Sequence, residues 1–102
     1  MKHRRIREFL SVVTDIEKCG SVYFWNPETQ GPCCPLAHAT VARGGFNVIA
    51  TSAEFGVDHE ARMMYMTVWD NAGRKGMDKK KAHELALMAA EILEEYEPIC
   101  LT

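Results

Sequence analysis

Apolar residues recur at helical spacing over residues 74–96, RKGMDKKKAHELALMAAEILEEY. Ala82, Leu85, Ala86, Ala89, Ile92, Leu93 and Tyr96 fall on one face at about 3.6 residues per turn, which predicts an amphipathic helix. Asp78 is the expected N-cap, with Gly76 before it and Pro98 beyond the last turn as a stop. Small residues let a helix axis approach its support closely, so this face is expected to lie on strands. A second stripe, Ile6, Phe9, Leu10, Val13, Ile16 and Cys19, predicts a first helix over residues 3–19, closed by Gly20.

Between the two helices the pattern reads as strands. Residues 21–25, SVYFW, are β-branched and aromatic and stop at Asn26-Pro27. Residues 36–42, LAHATVA, run into Gly44-Gly45, and FNVIATSA (46–53) follows as the returning strand of a hairpin. EFGVDHE (54–60) reads as a loop. Residues 61–70, ARMMYMTVWD, read as the longest strand, with Met63, Tyr65 and Thr67 on one face and Met64, Met66 and Val68 on the other. Both faces are apolar, which places it centrally, with the methionines as core filling. The expected fold is α+β, a single domain over residues 1–102. An antiparallel sheet of three to four strands carries an N-terminal and a C-terminal helix on one face, in the order α-β-β-β-β-α.

With 102 residues, 47% of them hydrophobic and 25% charged, the chain suits one ordinary globular core. Its net charge of −2 excludes an indiscriminate polycation. The distribution is more telling than the total. Nine of the 12 Lys and Arg fall in two stretches: Lys2, Arg4, Arg5 and Arg7, then Arg74, Lys75, Lys79, Lys80 and Lys81. Both cation groups sit at helix starts and Glu91, Glu94, Glu95 and Glu97 sit at a helix end. Each placement opposes the helix dipole at a cost of a few tenths of a kcal/mol, up to about 1 kcal/mol. Cations held there against the dipole suggest an anion outside the chain.

Other chemistry is thin. Metal ligation would draw on Cys19, Cys33, Cys34, His38, His59 and Cys100, but one adjacent cysteine pair with a single histidine lacks the doubled spacing of structural zinc. Cys33 or Cys34 as a nucleophile with His38 or His59 lacks a neighbouring cation to hold a thiolate. Gly44-Gly45 lacks the remaining residues of a phosphate loop. No catalytic residue, metal or cofactor is expected. The absence of a signal-like or membrane-spanning stretch, together with free thiols, predicts a cytoplasmic protein.

The order helix, antiparallel strands, then a helix opening Asp78-Lys79-Lys80-Lys81-Ala82-His83 with an alanine-rich face resembles a double-stranded-RNA-binding domain. Gly31-Pro32 matches that family's Gly-Pro loop, while Cys34 replaces its loop histidine and Asp78 its capping serine. The resemblance implies that Lys79, Lys80 and His83, at a usual lysine position, reach phosphates across a groove. The run WDNAGR into DKKKA is also similar to the arm-binding domains of phage integrases. The expected function is a non-enzymatic module binding duplex nucleic acid through Arg4, Arg5, Arg74, Lys75, Lys79, Lys80, Lys81 and His83. The alternative is a small acidic inhibitor or adaptor, of phage-accessory type, docking on a basic surface of a nucleic-acid-handling protein. Its contacts would be Glu54, Asp58, Glu60, Glu91, Glu94 and Glu95, with Tyr23 or Trp25 as hot spots. A homodimer through the strand edge beside SVYFW is a further expectation.

Overall fold

The computed structural model describes residues 5–19, 25–26, 31–32 and 34–95. Five helices make up most of them: α1 (Arg5–Leu10), α2 (Pro35–Ala42), α3 (Val48–Phe55), α4 (His59–Arg74) and α5 (Lys79–Glu95). A single 3₁₀ turn, Ile16–Lys18, follows α1. The strand pairing among the described residues is one two-residue antiparallel ladder, β1 (Trp25–Asn26) with β2 (Gly31–Pro32), Trp25 opposite Pro32. The fold is therefore helical. The expected α+β sheet, and the likeness to a double-stranded-RNA-binding fold that depended on it, are overturned.

The three expected strands are helices, and the residues that bound them are helix caps. Pro35 opens α2 after the extended Cys34, where a missing N–H costs nothing. Asn47 caps α3, its side-chain oxygen accepting from the Ala50 N–H at 3.0 Å. Helices α2 and α4 close on the same motif. Gly44 (φ 84°) and Gly76 (φ 76°) take the left-handed conformation that glycine adopts without strain. The N–H groups of Gly45 and Met77 then reach back to the Thr40 and Ala72 carbonyls, each at 2.9 Å. The helical period of α4 was present but masked by β-branched and aromatic side chains: Ala61, Tyr65, Trp69 and Ala72 are all buried, spaced four, four and three.

Helix α5 returns antiparallel to α4 and forms the longest packed pair of the fold. Asp78 is its cap, as expected, accepting from the Lys81 N–H at 3.1 Å. Tyr65 and Trp69 stack nearly parallel, 6.3 Å between ring centroids. The alanine face of α5 covers them, so the small residues serve close helix–helix packing and not the expected strands. The stripe Ile6, Phe9, Leu10, Ile16 and Cys19 is buried as expected, but the helix stops at Leu10. The run Ser11-Val12-Val13-Thr14 beyond it has poor helix propensity.

The described part of α1, Arg5–Leu10, is held on both sides by distant side chains. The Glu94 carboxylate accepts the Ile6 N–H at 2.9 Å. At the other end Arg43 donates to the Glu8 and Phe9 carbonyls at 2.9 and 3.1 Å. The Arg43 guanidinium also lies over the Phe55 ring, 4.3 Å from its centroid.

Candidate functional site

The face of α5 that is most apolar in sequence is not the face it buries. Ala82, Ala86, Leu87 and Ala90 point into the core, with Glu91 and Glu94 beside them. Leu85, Met88 and Ile92 are left 46%, 54% and 59% exposed. They form one stripe, since residues three and four apart share a helix face. On α4, Met63 is also exposed, at 42%, which corrects its expected role as core filling. Met64 is half-buried, and Met66 packs partly against the core. Met63, Met64, Thr67 and Leu93 line a shallow open groove of about 420 Å³, with His59 and Glu60 at its end. The α4–α5 hairpin thus carries an exposed apolar stripe on α5 and a methionine-lined groove on α4 that reaches Leu93.

The described basic residues do not converge. Arg4 lies outside the described residues, and Arg5 pairs with Glu8 at 3.6 Å. Ile6 lies beside Glu94, whereas Lys80 is fourteen residues earlier on α5, about 21 Å away at 1.5 Å per residue. Arg7 is engaged internally: its Nε lies 2.7 Å from Glu91 and its Nη2 3.3 Å from Glu84. These carboxylates hold the guanidinium above its ordinary pKa, the Glu91 hydrogen bond being the largest cause. Lys79 donates to the Glu17 carbonyl at 3.0 Å, and Arg74 pairs with Asp70 at 3.0 Å. Lys75, Lys80 and Lys81 are exposed at the α4–α5 turn and pair with no carboxylate among the described residues.

His83 faces inward, half-buried, with Nδ1 2.8 Å from the Tyr65 hydroxyl. Burial pushes its pKa down and that of Tyr65 up, so at neutral pH the phenol donates to a neutral imidazole. With Nδ1 engaged by Tyr65, only Nε2 of this ring is left to donate to an outside group. The sign of its pH effect follows. The unfolded histidine binds protons from about pH 6.5 downward, the folded one only at lower pH. The stability His83 contributes is therefore intact above about pH 6.5 and is lost as pH falls through the lowered folded value. Urea unfolding between pH 7.5 and 5 should show this loss, and His83→Gln should flatten it; an unchanged slope would refute the assignment.

The acidic residues divide. Glu54, Asp58 and Glu60 are exposed: Glu54 in α3, Asp58 just before α4 and Glu60 in its first turn, where a loop was expected. Glu91 and Glu94 are buried against α1 and unavailable for docking, and the Glu95 side chain lies outside the described ones. Tyr23 also lies outside the described residues.

Among the described residues no group of three His, Cys, Asp or Glu could hold a metal ion. Cys33 and Cys100 lie outside them. Cys19 and Cys34 are buried, and burial is the main cause that pushes the Cys19 thiol up to about 11. Arg62, unremarkable in sequence, is buried in α4 with its guanidinium against His59 Nδ1. No described helix is long and apolar enough to cross a membrane. No family model, curated protein or solved structure matches the chain.

Proposed function

We propose that this chain is a non-enzymatic protein-binding module that docks through the outer face of its α4–α5 hairpin. The observation that carries the reading is the exposure of Leu85, Met88 and Ile92 on the helix that also supplies the core. Contiguous exposed apolar surface on a small domain marks an interaction site, whereas single exposed apolar residues do not. Methionines suit such a face because an unbranched thioether adapts to an opposing surface. A photo-crosslinking residue replacing Met88 in the native cell should give a protein adduct that survives nuclease; the same residue at Glu54 serves as control. An adduct with nucleic acid alone, or equal yield at both positions, would reject the reading.

A second reading, duplex nucleic acid held by its phosphates, is favoured by one feature. Lys75, Lys80 and Lys81 cluster exposed at the α4–α5 turn. If they contact phosphates, Lys80→Glu should weaken duplex binding and reduce its salt slope by about one contact. A slope equal to that of the wild type, measured by gel shift at two salt concentrations, would reject it.

A further inference from the structure

Charges of opposite sign, unpaired among the described residues, stand at the two ends of the hairpin. Its turn end carries exposed Lys75, Lys80 and Lys81 around the capping carboxylate of Asp78, and its open end carries exposed Asp58 and Glu60, with Arg5 near Gly56. Glu60 shares the apolar groove with Leu93. Lys81 stands one turn before Leu85, at the opposite end of the same stripe. Neither Lys81 nor Glu60 forms an ion pair with a described residue. An apolar strip with a cation at one end and a carboxylate at the other is complementary to itself when turned end for end. Laid on itself in the same direction, it would set like charges together.

Resting on the reading of this face as a protein-docking surface, we propose that its occupant is a second copy of this chain. The copy packs antiparallel about a two-fold axis near Met88 and Ala89, with Lys81 of each facing Glu60 of the other. Two-fold symmetry makes every such contact occur twice, so a self-complementary strip gains two ion pairs from one arrangement. Ala89, at the middle of the strip, leaves room for two helices to approach at an ordinary packing distance of about 8–10 Å. Lys81, which opposes the dipole of α5, then faces a carboxylate across the interface, and its small cost within one copy is offset in the pair.

Sedimentation velocity of the full chain at low salt tests this. At about 0.1 mM, a range in which micromolar affinities saturate, the mass should be twice 11.5 kDa. Met88→Glu should sediment as a single chain with an unchanged far-ultraviolet spectrum. Lys81→Glu and Glu60→Lys should each weaken the dimer about tenfold. Mixing those two variants should restore wild-type affinity, because each chain then supplies the charge the other lacks at both symmetric contacts. A wild type that remains a single chain throughout would overturn the proposal. So would variants that do not rescue one another. If the single chain persists while the Met88 crosslinker captures a different protein, the second copy is rejected and the docking face stands; no protein adduct would remove both.

Discussion

Trp69→Ala is expected to lower unfolding stability by about 4 kcal/mol, the loss seen when a large aromatic leaves a packed interior. Trp69 is 1% exposed, stacked on Tyr65 one turn before it, and part of the core that α5 covers with Ala82, Ala86 and Ala90. Those alanines are the reason the cost should be near the upper end. A core of long flexible side chains can collapse into a void, but a helix already in close contact through its methyl groups has nothing to move inward. Domains of this kind have only about 5–15 kcal/mol of net stability. The variant should therefore unfold at a much lower urea concentration. Met63→Ala, on the exposed side of the same helix, should change stability by about 0.5 kcal/mol or less. A Trp69→Ala loss below about 1 kcal/mol would mean that the α4–α5 contact is not the centre of the fold.

The sequence carried the core more faithfully than the architecture. Ile6, Phe9, Leu10, Ile16 and Cys19 were legible as a buried stripe, as were Asp78 as a cap and the start of α5 just after it. Strand and helix were confused where local composition and period disagree. In residues 61–70 three methionines, Tyr65, Thr67 and Val68 resemble a two-sided strand, while the burial of Ala61, Tyr65, Trp69 and Ala72 follows the helix. Gly44 punctuates equally well a hairpin or a helix end, and only the Gly45 N–H bond to Thr40 separates the two. The orientation of α5 was misread because Leu85 and Ile92 dominate any hydrophobic average, and what they face is a tertiary fact. His83 could not be placed by spacing, since its partner Tyr65 belongs to what reads as a strand.

The charge anomaly has a different resolution at each end of α5. At its start, Lys80 and Lys81 remain exposed, and the proposed partner must account for them; Lys75, at the C-terminal cap of α4, agrees with that helix's dipole. At its end, the carboxylates that oppose the helix dipole meet the basic start of α1: Glu91 binds Arg7, and Glu94 binds the Ile6 N–H. Two segments more than eighty residues apart thus explain each other, and a residue pair that remote leaves no trace in local spacing. The first and last described helices are fastened at this point, so the junction closes the chain on itself.

Glu94→Ala should consequently cost about 3 kcal/mol, as expected when one partner of a buried charged hydrogen bond is removed. Glu94 is 1% exposed, and its carboxylate accepts the buried Ile6 N–H at 2.9 Å, at the start of the described part of α1. Without the carboxylate, that N–H must be buried unpaired or α1 must detach. Detachment would take Ile6, Phe9 and Leu10 out of the core, and the Arg43 bonds to the other end of α1 with them. Glu94→Gln keeps an oxygen that accepts the same hydrogen bond but removes the charge that favours a helix start, so about 1 kcal/mol should be lost. Amide exchange at Ile6 separates this account from a general loss of packing. In Glu94→Ala that amide should exchange faster than the interior amides of α4, whereas in Glu94→Gln it should stay protected. Uniform loss of protection across α1, α4 and α5, or a Glu94→Ala variant as stable as the wild type, would show that α1 is held by its apolar stripe and that the buried carboxylate is incidental.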